Sequence, residues 1–271
     1  MKSSRLGFGV VGSLPLDTVR DIAAAADRLG FASLWFNETP DGDALERVAL
    51  AQETSDRLRF GIGVINLDAK SPERILADID RRGIDTERLI LGVGASRKPS
   101  PLTTVRNGIE ILRQSISAPV IVGSLGPRMR QLGAEQGDGL LFNWLPPRYA
   151  AETRDTLRHQ AAAAGKSDSI AATYVRTALG PDALSALERE AAKYSAIPSY
   201  AANFERLGIS AMESAVYGDD PASIITGLEA FDGTVDVVIV RAITATDDSR
   251  DYLALLEAFA PLARNGATSG V

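Results

Sequence analysis

The sequence has 271 residues and a formal net charge of −6, with 45% hydrophobic and 24% charged residues, a composition typical of a globular protein with a large core. The acidic balance excludes a broadly basic nucleic-acid-binding surface, and the lack of cysteine excludes disulfides and thiolate metal sites. No apolar run is long enough to span a membrane, and the amino-terminal run is too broken by glycines for a signal peptide, so we expect a cytoplasmic protein.

Short apolar segments alternate with longer segments of helical periodicity along the chain. The clearest helix follows the first apolar segment, with Pro15 near its start and Gly30 as its stop signal. The pattern predicts eight strands, at Leu6–Val11, Ser33–Asn37, Arg59–Asn66, Leu89–Ala95, Val120–Ser124, Gly139–Trp144, Ile170–Ala178 and Val235–Ile243.

The alternation also predicts how the strands are arranged. Strands that are apolar on both faces and alternate with helices are typical of parallel βαβ units, and eight units match a (β/α)8 barrel, the TIM barrel. We favour this α/β fold over an open doubly wound sheet, which usually has fewer strands and a switch point. Residues 1–271 then form a single domain, in which Pro181–Pro221 adds extra helices between strands seven and eight.

Glycine-rich stretches mark several of the predicted strands. GFGVVG (7–12) matches the dinucleotide-binding pattern G-x-G-x-x-G, and Glu38 lies near the expected distance downstream. That pattern must follow a strand, and only the largely polar residues 1–6 precede it, so we interpret it as part of the first barrel strand. Glycines in 60–66 and 91–96 leave room either for tight packing inside the barrel or for a planar ligand close to the backbone.

The turn after the fifth strand has the features of an anion site. Gly123 and Gly126 flank the turn, and Pro127 fits the first helical position, where its missing N–H costs nothing. Free N–H groups at the helix start, including those of Arg128 and Met129, would favour a phosphate together with the helix dipole. The Arg128 side chain adds a charged donor. The alternative is an ordinary tight loop with a surface arginine.

Other basic residues follow predicted strands: Lys70, Arg97, Lys98, Arg148 and Arg241. In an acidic protein this placement indicates an anionic ligand at that face, although each residue alone is also typical of solvated surface. The single histidine, His159, has polar neighbours on a helix and is interpreted as a surface residue. With one histidine and no cysteine, we expect no metal site.

Four stretches carry a likeness to a known family: GFASLWFNET (30–39), RFGIGVIN (59–66), ERLILGVGAS (87–96) and PVIVGSLGPRMRQLGAEQGDGLLFNW (119–144), of which the last is the most specific. The sequence resembles the bacterial luciferase-like flavin and deazaflavin oxidoreductases over most of its length. The fold of that family is the (β/α)8 barrel predicted above.

The resemblance implies a cofactor site at the carboxyl ends of the strands. Leu125, Gly126, Arg128 and Met129 match the phosphate-binding positions of the family. Asn66 matches the residue after strand three that touches the tricyclic ring of the cofactor.

The resemblance also implies features around the cofactor ring. Gly63–Val64 matches a cis, non-proline peptide that backs the ring in deazaflavin members. Glu38 matches an acidic residue that contacts the cofactor. Thr39 aligns with the histidine that donates a proton in sugar-phosphate dehydrogenases of the family, so Glu38 and Thr39 are the candidate catalytic residues.

The sequence departs from the family pattern at several positions. Thr39 cannot perform the acid–base work of that histidine near neutral pH. Arg97 aligns with a glutamate of the sugar-phosphate dehydrogenases, and Pro146 with the lysine that grips the sugar phosphate. We therefore do not expect glucose 6-phosphate to be the substrate. The chain is also shorter than typical members.

Three functions are compatible with these observations. The first is a reductase or dehydrogenase that uses the 8-hydroxy-5-deazaflavin coenzyme (F420) and a small organic substrate, with Asn143 as a cofactor-binding residue and Trp144 beside it in the pocket. The second is an FMN-dependent monooxygenase, and the third is a flavin-binding barrel without catalysis. We favour F420 because the closest pattern matches are similar to the deazaflavin members. Because the family often forms dimers, the resemblance also implies a homodimer.

Overall fold

A computed structural model describes residues 1–96 and 100–267 and shows a closed barrel of eight parallel strands. Strand β9 pairs with both β7 and β1, and β6 pairs with β7, which closes the barrel. The predicted fold is confirmed, and every predicted strand end lies within two residues of the observed one. The strands are β1 Arg5–Val11, β2 Ser33–Asn37, β3 Arg59–Asn66, β4 Leu89–Gly94, β5 Val120–Gly123, β6 Gly139–Asn143, β7 Ile170–Leu179, β8 Val216–Gly218 and β9 Val237–Ile243.

Helices cover the outside of the barrel, and most of them begin with proline in the first turn, where no N–H partner is required. Helix α1 follows Pro15 and ends at Gly30, whose φ of 88° forms a left-handed cap. The helices are α1 Leu16–Leu29, α2 Ala44–Gln52, α3 Pro72–Arg81, α4 Pro101–Ser115, α5 Pro127–Gln136, α6 Pro147–Ala163, α7 Pro181–Ser195, α8 Pro198–Leu207, α9 Pro221–Glu229 and α10 Ser249–Ala267.

The predicted insertion between the seventh and eighth barrel strands contains α7 and α8, a short 3-10 helix at Ala211–Ser214, and β8. The prediction of extra helices is confirmed, but β8 was not predicted. It pairs in parallel with the end of β7, with Thr177 opposite Val216. The N–H of Gly180 also donates to the carbonyl of Gly218 at 2.9 Å, so the two ends of the insertion are joined by backbone hydrogen bonds.

Inward-facing side chains fill the barrel itself. They form a buried cluster of Trp35, Ile90, Ile121, Leu141, Ala172, Tyr174, Val237 and Ile239. Gly61 makes room for the Trp35 ring, because a Cβ on that glycine would lie 2.1 Å from it. Gly7 and Gly9 of GFGVVG lie within β1, as predicted, and likewise face neighbouring side chains. Among the described residues, no helix is long and apolar enough to cross a membrane.

Candidate functional site

The inward-facing positions become polar at the carboxyl ends of the strands, the end at which (β/α)8 barrels carry their chemistry. Asn37 lies at the end of β2, two residues after the buried Trp35, and Asn143 lies two residues after Leu141 on β6. On β7 and β9 the register places Arg176 opposite Arg241. Both arginines are buried, with 2% and 6% exposure. The mouth of the barrel therefore carries half-buried amides and buried guanidinium groups.

Glu190 on α7 is the carboxylate that faces these arginines. Its Oε1 accepts a hydrogen bond from Nε of Arg176 at 2.9 Å, while its Oε2 lies 3.9 Å from Nη2 of Arg241. Burial alone would raise the pKa of Glu190, but the charges of Arg241 and Arg176 outweigh burial and hold the pKa below its usual value. The carboxylate is therefore ionised and links α7 to the barrel wall.

Asn143 joins the same network. Its Oδ1 accepts a hydrogen bond from Nη1 of Arg176, and its Nδ2 donates to the hydroxyl of Tyr200 at 2.9 Å. Burial is the main reason that the pKa of Tyr200 rises to about 12, so this hydroxyl stays protonated. The Asn143 amide is thus held by β7 and α8, and its orientation at the barrel mouth is fixed by two partners.

Aromatic rings from α7 and α8 cover the network. The guanidinium carbon of Arg176 lies 4.0 Å from the centre of the Trp144 ring and 4.9 Å from that of Tyr194. Tyr194 in turn packs edge-on against Tyr200, with ring centres 4.7 Å apart. The inserted helices therefore form one wall of the site.

Several buried polar atoms near this end of the barrel have no hydrogen-bond partner in the described part of the chain. Buried polar groups are normally paired, so a group of unpaired ones marks a place where a polar ligand could bind. These atoms are Asn37 Oδ1, Thr39 Oγ1, Ser124 Oγ, Trp144 Nε1, the Tyr174 hydroxyl and Asn203 Nδ2. They come from β2, β7, α8 and the loops after β2, β5 and β6, and so lie on two sides of the barrel mouth.

The peptide bond between Gly63 and Val64 is cis, as the resemblance implied. The pairing of β3 with β4 shifts register between Ile62 and Ile65, and the Gly63 carbonyl accepts a hydrogen bond from Nδ2 of Asn37 at 2.9 Å. The Val64 side chain packs toward Gly92, Gly94 and Gly123, where it occupies the space that a Cβ on each glycine would need. For these three glycines the structure therefore shows side-chain packing.

The start of α5 has the predicted features of an anion site. Gly126 is its N-cap and receives no side-chain cap, and open space adjoins that glycine. Arg128 is exposed at the first turn. The first-turn N–H groups, including those of Arg128 and Met129, have no acceptor in the helix. Leu125 directs its carbonyl to Nη2 of Arg206 at 2.9 Å.

Two further arginines lie at this helix start and were not singled out from the sequence. Arg130 donates to Oγ1 of Thr153 at 3.2 Å, and Arg206 donates to Oδ1 of Asn203. Burial, and after it the charge of Arg206, lowers the pKa of Arg130 to about 10. Neither arginine has a carboxylate partner among the described residues. Arg130 belongs to the same GPRMR run that predicted the site, whereas nothing in the sequence marks Arg206.

The candidate catalytic residues Glu38 and Thr39 follow β2. Oε2 of Glu38 accepts a hydrogen bond from the N–H of Ala44 at 2.8 Å, and Oε1 lies 3.4 Å from Nζ of Lys70. The Glu38 carboxylate therefore supports the start of α2 and shares the charge of Lys70 with Asp43 and Asp78, which lie 3.7 and 3.9 Å from the same Nζ. The Thr39 hydroxyl, by contrast, is buried and unpaired. Asn66 is exposed, and its Oδ1 accepts a hydrogen bond from the N–H of Asp68 within its own loop.

The remaining basic residues predicted to face an anionic ligand differ in their surroundings. Arg148 is exposed and stacks on the Tyr149 ring at 4.5 Å. Arg97 and Lys98 lie outside the described residues. His159 is exposed, as predicted. A groove lined by residues such as Arg113 and Asp138 lies at the opposite end of the barrel, where β5 and β6 begin, far from the strand ends that carry chemistry in this fold.

Comparison with known proteins shows which family the chain belongs to. The family model of luciferase-like monooxygenases matches residues 86–223, just over half of the chain. The chain belongs to the luciferase-like monooxygenase family. The matched segment includes β4 to β8, and with them the start of α5, Arg176 and Glu190.

Two curated members of the family are similar in sequence. A Mycobacterium tuberculosis protein, whose name describes it as a coenzyme F420-dependent oxidoreductase, is 31% identical over 137 residues, or 46% of this chain and 40% of that protein. The 5,10-methylenetetrahydromethanopterin reductase of Archaeoglobus fulgidus is 28% identical over 181 residues, or 52% of this chain and 54% of that protein. The chain thus matches about half the length of these relatives or less.

A solved structure of an F420-dependent secondary alcohol dehydrogenase in complex with an F420-acetone adduct has the same fold. The TM-score is 0.77 at 14% identity, and the match covers 98% of this chain and 99% of that one. At this identity the match shows the shared barrel alone.

Proposed function

We propose that this luciferase-like protein is an F420-dependent oxidoreductase that transfers a hydride between the deazaflavin and a small organic substrate. The group of unpaired polar atoms around the barrel mouth carries the proposal, because it lies where this fold binds its ligands. The name of one curated relative includes coenzyme F420 and supports this cofactor. The other relative is named a methylenetetrahydromethanopterin reductase, which supports a reduction as the reaction. When bound, the deazaflavin supplies the hydride chemistry.

The start of α5 would hold the cofactor phosphate. The N–H groups of Arg128 and Met129, with the helix dipole, favour an anion at this position. Arg130 and Arg206 add two guanidinium groups that no carboxylate neutralises among the described residues. Ser124 Oγ and Asn203 Nδ2, both buried and unpaired, supply further polar atoms beside the same turn.

The Gly63–Val64 peptide, Asn66 and Asn143 would hold the ring of the cofactor. Asn37 holds the carbonyl of Gly63 in place. Asn143 is held in turn by Arg176 and Tyr200. The side-chain amides of Asn66 and Asn143 would therefore bind and orient the cofactor without taking part in proton transfer.

Glu38 and Thr39 have separate roles in this proposal. The Glu38 carboxylate fixes the loop after β2 through the N–H of Ala44 and through Lys70. The unpaired Thr39 hydroxyl can donate a hydrogen bond to the ligand, but it cannot act as a strong acid or base near neutral pH. Thr39 therefore orients the reacting group, and the proton of the reaction comes from solvent or substrate.

The lactyl-glutamyl tail of F420 is acidic and extends beyond the phosphate. Arg148 lies just after β6 and exposes most of its side chain, with a relative exposure of 73%. It would provide a cation for the tail, whereas FMN stops at its phosphate. A homodimer and a cytoplasmic location stay predictions, and light scattering of the purified protein checks the first of these.

An FMN-dependent monooxygenase is the alternative, and the name of the matching family favours it. Both cofactors carry a phosphate, so the start of α5 does not separate them. A flavin-binding barrel without catalysis is a further alternative. It is supported by the threonine at position 39, where a histidine donates a proton in some members.

Titration of the purified chain with F420 and with FMN tests the proposal. We expect F420 to bind more tightly than FMN, as measured by equilibrium dialysis. Arg130→Gln should weaken F420 binding about 10- to 150-fold, the equivalent of about 1.5–3 kcal/mol for hydrogen bonds to a charged group. Arg189→Gln is the matched control, because it makes the same charge change at an exposed position of α7.

Three results would contradict the proposal. Tight FMN binding without F420 binding, together with substrate-dependent oxygen uptake, would identify a monooxygenase. F420 binding that Arg130→Gln leaves unchanged would place the phosphate elsewhere. Binding of neither cofactor would exclude both oxidoreductase functions.

A further inference from the structure

Arg241 is a buried cation whose hydrogen-bonding capacity is largely unused. Its side chain is 7% exposed, and its polar neighbours among the described residues are the carbonyl of Ala242, which accepts from Nη1, and the Glu190 carboxylate. Oε2 of Glu190 lies 3.9 Å from Nη2, which is longer than a hydrogen bond. A guanidinium has five N–H donors, so most of the donors of Arg241 have no protein acceptor in the described residues.

The charges at the barrel mouth do not balance. Arg176 and Arg241 share Glu190, and Arg176 has the closer contact at 2.9 Å as well as the Asn143 amide and the rings of Trp144 and Tyr194. In the part of the chain that the structure describes, two buried guanidinium groups thus pair with one carboxylate. A buried charge is costly unless it is paired, so the arrangement favours a second anion beside Arg241.

The hydroxyl of Tyr174 is an independent indication of a ligand at this place. Tyr174 precedes Arg176 by two residues on β7 and therefore faces the barrel interior directly below it. The residue is 2% exposed, and its hydroxyl has no hydrogen-bond partner among residues 1–96 and 100–267. The hydroxyl lies 2.5 Å from the position that a Cβ on Gly63 would take, so it reaches across the barrel interior to the cis peptide of β3. A hydroxyl donor and a guanidinium together suit an anionic oxygen.

We propose that Arg241 and Tyr174 recognise a carboxylate group on the substrate, so that the substrate is a small organic acid. This inference rests on the proposed oxidoreductase function. Arg241 donates its free N–H groups to the carboxylate, and Tyr174 donates its hydroxyl. Arg176 and Glu190 are positioning residues that hold Arg241 and the wall of the site. The phosphate of the cofactor belongs to the start of α5, three strands away around the barrel.

The test compares benzoate with benzamide, which has the same shape but no charge. Isothermal calorimetry at pH 7 measures the binding of each to the full chain, with and without saturating F420. We expect benzoate to bind at least tenfold more tightly than benzamide. Arg241→Gln should reduce this preference to less than about twofold, while the control Arg189→Gln keeps it.

Tyr174→Phe provides a second variant, because it removes a hydroxyl that has no partner and so breaks no existing hydrogen bond. It should weaken benzoate binding about three- to tenfold and leave benzamide binding unchanged. This variant decides the question if Arg241→Gln does not fold, as judged by its thermal melting.

The outcomes separate this inference from the proposed function. Equal binding of benzoate and benzamide, or a preference that survives in Arg241→Gln and Tyr174→Phe, would overturn the carboxylate site. A loss of F420 affinity in Arg241→Gln would assign Arg241 to the cofactor and overturn it too. A benzoate preference that depends on Arg241 in a chain that does not bind F420 would support the anion site and refute the proposed function.

Discussion

Replacing Tyr174 by phenylalanine should make the free protein more stable, although most substitutions in a protein core destabilise. The Tyr174 hydroxyl is buried without a partner, and burial raises its pKa far above the usual value, so it stays neutral. A buried polar group left unpaired costs about 1–3 kcal/mol. Removal of one oxygen leaves a void of roughly 10–15 Å3, which costs roughly 0.3 kcal/mol. The net gain in the free energy of unfolding is about 0.7–2.7 kcal/mol.

Urea unfolding, followed by tryptophan fluorescence, measures this gain, and thermal melting should show a rise of roughly 2–6 °C. Tyr200→Phe is the matched control, because the same chemical change there removes the hydrogen bond from Nδ2 of Asn143 at 2.9 Å. That variant should lose about 0.5–1.5 kcal/mol. A decrease in stability for Tyr174→Phe would show that the hydroxyl of Tyr174 has a partner in the free protein and would refute the reasoning.

Three further predictions concern packing, pH and the anion site. Gly61→Ala should destabilise by about 1–3 kcal/mol or more in urea unfolding, because its Cβ would lie 2.1 Å from a buried ring. Gly126→Ala meets no described atom within 4 Å and should cost about 1 kcal/mol or less, the loss expected for alanine at an N-cap. Burial would raise the pKa of Asp232, but hydrogen bonds from the N–H groups of residues 2–4 outweigh burial and lower the pKa. The stability that this carboxylate contributes is therefore present above its unfolded pKa of about 3.9 and is lost as the pH falls through the lower folded value. The stability difference between wild type and Asp232→Asn should therefore be constant above about pH 5 and shrink below that unfolded value, and a difference independent of pH would contradict this linkage. Arg128→Ala should weaken F420 binding by up to about 1.5 kcal/mol, and the effect should be smaller at high salt because Arg128 is exposed. Equal F420 affinities of wild type and Arg128→Ala at low salt would exclude Arg128 from the phosphate site.

The sequence predicts the barrel well because its strands are apolar on both faces and are separated by helices with clear start signals. β8 escapes this reasoning, since three residues with one buried side chain carry no periodic signal. The start of α5 could be predicted because glycine, proline and arginine have distinct roles at a helix start. This pattern did not indicate Arg206, which comes from a helix inserted more than seventy residues later.

The polar network at the barrel mouth was harder to predict. Glu190 and Arg176 are charged residues in ordinary amphipathic or apolar segments, and only the folded chain brings them together. The sequence likewise marked Glu38 as a cofactor contact, but the partner that its carboxylate meets, the N–H of Ala44, depends on the path of a loop. Periodicity tells which side of an element is buried, but which group a buried side chain meets depends on tertiary structure.

The backbone hydrogen bond between Gly180 and Gly218 holds together the two ends of the insertion that contains α7 and α8. Because β7 and β8 fix these two ends to each other, a change in the length or sequence of the insertion does not change the distance that the chain must span between barrel strands. The insertion carries Glu190 and Arg206, which contact Arg241 and the turn before α5. Substitutions confined to this insertion can therefore change the side chains at both proposed ligand positions, while the barrel that supports them keeps its stability.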